Sequence, residues 1–230
     1  MTSATAALAE PLLDRWLADA AQLAPDAGRD LWLSEGSLLL QGWAEPHRRY
    51  HTMEHLTEVL AAVDELEEAG AVGSTEALLA RGALWYHDLV YDPRAQPGSN
   101  EHRSASMARD HLHRLGVPSP TIDQIETGVQ MTFGHEVPAG SADVRLLDAV
   151  HDADLWILSA PEQRYATYRA QVRQEYAHVP EPQFRQGRSA IMAPFLHRDR
   201  IYRTEHAHHT WTDRARANLA AELAELSDGV

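Results

Sequence analysis

Histidine and aspartate side chains interrupt apolar helical patterns at three places in this sequence. His55 lies in the segment YHTMEHL, the pair His87-Asp88 ends the apolar run ALLARGALWYHD, and Asp154 lies on a later, mostly apolar helix face. Two imidazoles and two carboxylates form a mixed nitrogen and oxygen ligand set that suits a divalent first-row transition metal: Mn, Fe, Co, Ni or Zn. Coordination positions left open for water would supply a Lewis acid together with a nucleophile. The pattern therefore predicts a hydrolytic centre in which all four side chains bind one metal ion.

A general acid or base is also needed beside such a metal, and the sequence offers two candidates. His51 precedes His55 by one helical turn and points the same way, so it is better placed than the other candidate, Glu101. The position of His51 is equally compatible with holding a metal ligand in place. Asp88 is expected to bind the metal and also to orient the attacking water.

Helices must position these residues, because helical periodicity covers nearly the whole chain and strand-like alternation is nearly absent. Along residues 50–69, His55, Val59 and Val63 form one stripe at four-residue spacing. Similar patterns predict helices over 74–86, from Asn100 to Gly116, over 142–158 and over 210–227. The spacings Thr121-x-x-Gln124 and Ser159-x-x-Glu162 are typical of capping boxes, so two further helices are expected to begin there.

These patterns predict one all-α domain over residues 1–230. Its compact helical core is expected at about 45–160, and a C-terminal helical extension at about 161–230. The segment HAHHT at 206–210 is interpreted as the start of a helix, because its histidine spacing does not form one helical face for a metal.

Composition excludes several classes of function. The 20 basic residues are all arginine and stand against 34 acidic ones, and the net charge of −14 argues against binding a nucleic-acid polymer. The absence of cysteine excludes thiol nucleophiles, disulfides and cysteine-ligated metals. The absence of lysine excludes Schiff-base chemistry and a P-loop lysine.

The N-terminal segment MTSATAALAEPLLDRWLADA carries acidic residues among its apolar ones, which predicts a helix and not a signal peptide. No apolar run approaches the ~18 residues of a membrane span. We interpret the chain as a cytoplasmic protein without membrane association, of a size and helical class that often forms homodimers.

Longer motifs surround the four predicted ligands and carry a family resemblance. They are Arg48-Arg49-Tyr50-His51 through His55, Trp85 through Pro93, Asn100 through Ala105, Thr132 through His135, Asp152 through Leu155, Glu175-Tyr176, Gly187-Arg188 and Ala215 through Leu219. Together with the order H…HD…D, they resemble the HD-domain superfamily of metal-dependent phosphohydrolases, and within it a subgroup of small bacterial predicted HD phosphohydrolases. The resemblance implies a helical HD-domain fold and hydrolysis of a phosphate ester by metal-activated water. It does not specify the metabolite.

Two aspartates compete for the last ligand position. Asp152 and Asp154 point about 200° apart on a helix, so only one of them can face the metal. The ligand in the superfamily resembles an Asp directly before an apolar or Arg-Leu pair, which favours Asp154. Asp154 also shares a face with Leu147 and Leu158, whereas Asp152 is expected to be more solvated.

Recognition of a phosphorylated substrate must come from arginine, since lysine is absent. Arg49 neighbours the two histidines of the first motif, and Arg173 and Arg188 lie in the C-terminal extension. Guanidinium groups suit bidentate phosphate contacts. The residues expected to contact a small anionic phosphorylated metabolite, such as a nucleotide, are Arg49, His135, Arg173, Tyr176 and Arg188.

Two other functions are compatible with the same residues. Some HD folds hold two irons and carry out oxygenase chemistry, for which His111, His113 and His135 lie in the required interval. We favour one metal ion over two, because a two-metal site needs several added ligands. The second alternative is a sensor that binds a nucleotide without turnover.

Overall fold

The computed structural model of the protein describes residues 3–137 and 140–227, and within these ranges it is helical without strands. The all-α fold class is therefore confirmed. The α-helices are α1 (Ser3–Leu23), α2 (Arg29–Trp43), α3 (Met53–Glu68), α4 (Ser74–Tyr86), α5 (Ser99–Arg114), α6 (Ser119–Met131), α7 (Val144–Asp154), α8 (Glu162–Glu175), α9 (Glu181–His197) and α10 (Glu205–Ser227). A 3₁₀ helix, Leu155–Ser159, continues directly from α7.

Helix α4 lies at the centre of the fold. Every residue from 79 to 87 is buried, as expected for a helix that is apolar on all sides and packs against α3, α6 and α7. Gly128 of α6 allows a close approach, since a Cβ atom there would lie 2.8 Å from the Cβ of Ala83. This packing carries the C-terminal end of α4, with His87, into the interior.

Two helix ends near the predicted ligands differ from the sequence prediction. Helix α3 begins at Met53, because the Thr52 side chain accepts a hydrogen bond from the Glu54 amide and caps the helix there. His51 therefore lies in the turn before α3, and not in its first turn. The helix predicted over 142–158 ends at Asp154 and tightens into the 3₁₀ helix.

Both predicted capping boxes are wrong. Helix α6 begins at Ser119 after Pro118 and has Pro120 in its first turn, which leaves Thr121 inside the helix. The Ser159 hydroxyl donates to the carbonyl of Trp156, while α8 begins at Glu162 after Pro161.

The C-terminal helices belong to the same hydrophobic core as the rest of the chain. One buried apolar cluster extends from Leu12 to Leu219. Helix α10 begins at Glu205, earlier than predicted, and packs against α9 and the 3₁₀ helix. Among the described helices, none is long and apolar enough to cross a membrane.

Candidate metal centre

Three side chains converge from three helices: His55 in α3, His87 just after α4 and Asp154 at the end of α7. One ligand atom of each lies within 4.8 Å of the other two. The two histidine Nε2 atoms are 3.2 Å apart, and Asp154 Oδ1 lies 3.5 Å from His55 Nε2 and 3.4 Å from His87 Nε2. Ligands each about 2.1 Å from one ion stand about 3.0 Å apart at right angles and about 3.4 Å apart at tetrahedral angles. The observed spacing therefore fits the ligands of a single ion.

Asp88 borders this group of three. Its Oδ2 atom lies 3.1 Å from His87 Nε2 and 3.7 Å from His55 Nε2. It is not one of the three residues whose ligand atoms are mutually within 4.8 Å. On its other side, Oδ2 lies 3.9 Å from Nε2 of His51. The structure thus brings all four predicted ligands together, with Asp88 between the others and the candidate acid or base.

The orientation of His87 is fixed before any ligand binds. Its Nδ1 donates a hydrogen bond of 2.8 Å to the carbonyl of Leu84. A neutral imidazole carries one proton, so the lone pair is left on Nε2, the atom that faces His55. The indole of Trp43 packs against the His87 ring, with 5.4 Å between ring centroids, and donates to the carbonyl of Trp85.

The charge balance of the group favours a cation. Burial alone would lower the pKa of His87, but the carboxylates of Asp88 and Asp154 raise it well above its ordinary value. Burial would raise the pKa of the Asp154 carboxyl, but the imidazoles beside it, His87 foremost, hold that pKa well below its usual range. The group and the adjoining Asp88 therefore hold two carboxylates, which attract a proton to His87. A metal ion would take the place of that proton.

The donor set also fits a divalent transition metal on chemical grounds. Imidazole nitrogen and carboxylate oxygen together suit Mn, Fe, Co, Ni and Zn. Within the described residues, no backbone N–H donates to the Asp154 carboxylate, and the buried Nδ1 of His55 has no hydrogen-bond partner. The oxygens of Asp154 are therefore free to bind an ion.

The structure assigns His51 a partner that the sequence analysis missed. Nδ1 of His51 lies 2.8 Å from Oε2 of Glu175, which is buried. Oε1 of Glu175 accepts the backbone N–H groups of Arg49, Tyr50 and His51, and Oε2 also accepts the hydroxyl of Tyr91. The His51 imidazole foremost, together with the Arg49 N–H and the Tyr91 hydroxyl, outweighs burial and lowers the pKa of Glu175 to about 2. Glu175 is thus a carboxylate that holds Nδ1 of His51 and leaves Nε2 facing the site.

The charge around His51 raises its pKa. Burial lowers the pKa, but the carboxylates of Asp88 and Glu175 outweigh burial. Glu101, the second candidate for acid–base chemistry, lines the same cavity as His51. Burial and the nearby carboxylates of Asp88 and Asp154 raise the pKa of Glu101. The structure therefore places both predicted candidates beside the centre.

Asp152 is buried, which corrects the expectation that it is solvated. Its side chain is 0% exposed. Oδ1 accepts the backbone N–H of Arg203, and Oδ2 accepts both the N–H and the hydroxyl of Thr204. Asp152 therefore holds the segment before α10 and points away from the three-ligand group, as the helical angle between it and Asp154 requires.

A cavity of about 650 Å³ adjoins the centre. Of the residues predicted to contact substrate, His135, Tyr176 and Arg188 line it. Arg49 and Arg173 are not among the lining residues.

The two arginines outside the cavity are occupied elsewhere. The Arg49 guanidinium donates to the carbonyls of Pro46 and Arg48. That of Arg173 pairs with Glu181 and donates to nearby carbonyls in the α8–α9 connection. The structure therefore places Arg49 and Arg173 outside the cavity that was expected to hold the substrate. Their guanidinium groups are hydrogen-bonded to local acceptors in these turns.

His135 lies close to the third ligand in an uncommon backbone conformation. Its Nε2 is 3.7 Å from Oδ2 of Asp154, and its φ of 56° places it in the left-handed region after Gly134. Burial lowers the pKa of His135, as do the nearby cations of Arg203 and Arg198. His135 is thus a neutral imidazole at neutral pH, able to donate one hydrogen bond.

Arg198 is a cavity residue that the sequence analysis missed. It lines the cavity, and its guanidinium lies 4.6 Å from the ring centroid of Phe195. Among the described residues, no carboxylate lies within salt-bridge distance of it, whereas Arg188 pairs with Glu222 at 2.8 Å. Arg198 is therefore the better placed of the two to bind an anion. No sequence motif distinguishes it from the other arginines.

The remaining histidines do not join the centre. His111 contacts Glu35 at 2.5 Å on the far side of Tyr86, and His113 is exposed. In the HAHHT segment, His206 contacts Glu65. Of the three histidines considered for a second metal, only His135 lies beside the group.

The arrangement combines side chains that could hold one cation, a histidine held by a carboxylate, and an adjoining cavity with an arginine that has no carboxylate partner among the described residues. Chemically, this can bind an anionic substrate, polarise it and move a proton. Comparisons with protein-family models, with curated proteins and with solved structures returned no match to this chain.

Proposed function

We propose that this protein is a metal-dependent phosphohydrolase that acts on a small phosphorylated metabolite. The observation that carries the proposal is the convergence of His55, His87 and Asp154 beside Asp88, at the wall of a cavity large enough for a small molecule. The resemblance of H…HD…D to HD-domain phosphohydrolases supports the same class of reaction.

In this proposal, His55, His87, Asp88 and Asp154 would hold one divalent ion. A bound ion supplies Lewis acidity toward a phosphate oxygen and lowers the pKa of water. Asp88 lies between the imidazoles and His51, so its second role is to orient the attacking water toward phosphorus.

In this proposal, His51 supplies the proton that the leaving group takes up. Glu175 fixes its Nδ1, so the exchangeable position is Nε2, on the side of Asp88. The raised pKa of His51 favours its protonated form, which can give a proton to the oxygen of the leaving group. Glu101, with its raised pKa, is the alternative donor.

The phosphoryl oxygens require hydrogen-bond donors that are not already bound to a carboxylate of the protein. Arg198 and His135 meet this requirement, since both line the cavity and neither contacts a carboxylate closer than 3.7 Å within the described residues. They would bind charge that develops on the phosphoryl group during its transfer.

A two-iron oxygenase is the weaker alternative. The group of three ligands is the one such cluster found among the described residues, and His111 and His113 lie outside it. These observations favour one ion.

The test is metal-dependent release of inorganic phosphate from a panel of phosphate esters. Protein treated with a chelator should be inactive, and adding Mn, Fe, Co, Ni or Zn back should restore release. Asp88→Ala should abolish activity while the helical circular dichroism signal is kept. The matched control is Asp213→Ala, an exposed aspartate of α10, which should behave like the wild type. Phosphate release that survives Asp88→Ala, or no release with any metal and ester, would contradict the proposal.

A further inference from the structure

We infer that the organic group of the substrate is apolar, an alkyl or aryl group carrying one phosphate. This inference rests on the proposed function and names the substrate class of the same site. It narrows the expectation from sequence, which included nucleotides.

The first observation is the chemistry of the cavity wall beyond the candidate ligands. The 3₁₀ helix contributes Ile157 and Leu158, α8 contributes Val172, and α9 contributes Met192 and Phe195. These side chains are buried and apolar. A substrate group lying against them gains free energy only if it is itself apolar.

The second observation concerns the rim of the cavity, where two apolar side chains are exposed. Phe133 and Ile191 line the cavity and are 54% and 58% exposed. Large apolar side chains exposed next to a cavity are typical of a ligand-binding surface. The end of a long apolar substrate group that extends out of the cavity would lie against Phe133 and Ile191.

The third observation is the small number of free arginines in the cavity wall. Arg188 is held by Glu222 and by the hydroxyl of Tyr168, so its charge is already balanced. Arg198 remains as the one cation of the cavity wall without a carboxylate partner among the described residues. One free arginine and one metal ion match a single phosphate group. A polyphosphate would need more cations.

The experiment compares esters that share the phosphate and differ in the organic group. Methyl, butyl and octyl phosphate are assayed for phosphate release with the metal-loaded protein, beside glycerol phosphate and adenosine monophosphate. Each methylene that becomes buried should raise kcat/KM by about fourfold, until the cavity is filled. A value of kcat/KM that does not depend on chain length, or a preference for adenosine monophosphate over octyl phosphate, would overturn the inference.

Two variants test whether the preference for a long alkyl chain arises at the rim of the cavity. Ile191→Ser should lower the ratio of octyl to methyl phosphate activity by about fourfold or more, because part of the apolar rim is lost. Leu31→Ser changes an equally exposed apolar residue on α2, outside the cavity, and should keep the wild-type ratio. Equal ratios in the two variants would remove Ile191 from the substrate site.

A binding measurement separates this inference from the proposed function. Octylphosphonate, which cannot release phosphate, should bind more tightly than methylphosphonate, with a negative heat-capacity change by titration calorimetry. Tight octylphosphonate binding without turnover of any ester would reject the hydrolase and keep the apolar site. Turnover of small or nucleoside esters, with no preference for octylphosphonate, would keep the hydrolase and reject the apolar site.

Discussion

Asp152 and Asp154 lie two residues apart at the end of α7, and their surroundings are opposite. Asp152 accepts three hydrogen bonds from Arg203 and Thr204. Asp154 faces the imidazoles of His55 and His87, and within the described residues its side chain makes no capping hydrogen bond to the 3₁₀ helix that follows it. Burial raises the pKa of Asp152 to about 6 even with its hydrogen bonds, whereas the imidazoles hold the pKa of Asp154 well below its usual range.

The comparison shows what distinguishes a structural carboxylate from a candidate ligand. Their side chains are 0% and 14% exposed, so both are largely shielded from solvent and burial alone does not explain their different surroundings. The difference is whether hydrogen-bond donors already occupy the carboxylate oxygens. Replacing these two residues one at a time tests this distinction directly.

The largest expected effect is on activity. Asp154→Asn keeps the shape of the side chain but removes a charged ligand, and phosphate release should fall by more than about 100-fold, beyond the loss typical of a group that only supports a ligand. Asp152→Asn should retain activity within about tenfold, because it lies outside the ligand group. The measurement is kcat/KM with saturating metal. Similar losses in both variants would show that the two carboxylates do not have distinct roles.

The next largest effect is on stability, where we expect the loss of Asp152 to matter more than the loss of Asp154. Asp152→Ala leaves the donors of Arg203 and Thr204 without an acceptor, and the free energy of unfolding should fall by about 3 kcal/mol. The low pKa of Asp154 means that its charge stabilises the folded protein, so Asp154→Ala should also lower the free energy of unfolding, but by less, because no backbone N–H loses its acceptor. Urea unfolding of the metal-free proteins compares the two. A larger loss for Asp154→Ala would reverse the assignment.

Glu175→Gln tests the positioning of His51. It should lower kcat by about 10- to 100-fold and shift the alkaline limb of the pH–rate profile to lower pH, because His51 acts in its protonated form and a charge that raises its pKa is lost. The metal content should stay at the wild-type level. An unchanged pH profile would mean that Glu175 acts only in folding.

Glu175 should also make stability depend on pH. Its pKa in the folded protein, about 2, is below its ordinary value of 4.5, so its contribution is present above pH 4.5 and is lost as the pH falls toward 2. The contribution is on the order of 3 kcal/mol. Unfolding free energies of wild type and Glu175→Gln should therefore converge below pH 4.5. A constant difference between them would contradict the low pKa.

The smallest expected effects are on KM, and they distinguish Arg198, which lines the cavity, from Arg173, which does not. Arg198→Ala should raise KM by about tenfold, as expected for losing one charge-assisted contact. Arg173→Ala should change KM by less than about twofold, since its guanidinium is bound outside the cavity. A larger effect at Arg173 would restore its predicted contact with substrate.

Sequence periodicity predicted the helices that carry the candidate ligands, because each of these residues lies on a regular helix or close to its end. It correctly separated the faces of Asp152 and Asp154, yet it gave Asp152 the wrong environment. What covers Asp152 is the segment at Arg203, which is distant in sequence. Spacing along one helix carries no information on such a partner.

The same limit applies to Glu175 and Arg198. The position of Glu175 depends on backbone N–H groups of residues 49–51, more than 120 positions away. Its Glu-Tyr motif was visible, but its contact with His51 was not. Arg198 is one of 20 basic residues, and only the fold shows that it lines the cavity.

The central claim is that this group of side chains binds one metal ion, and elemental analysis of metal per chain tests it most directly. Wild-type protein, as purified or after reconstitution, should contain about one transition metal per chain, and Asp154→Asn should lose it while Asp152→Asn keeps it. About two irons per chain would support the oxygenase instead. No metal in the wild type after reconstitution would contradict the account and leave the histidines and aspartates with a structural or sensing role.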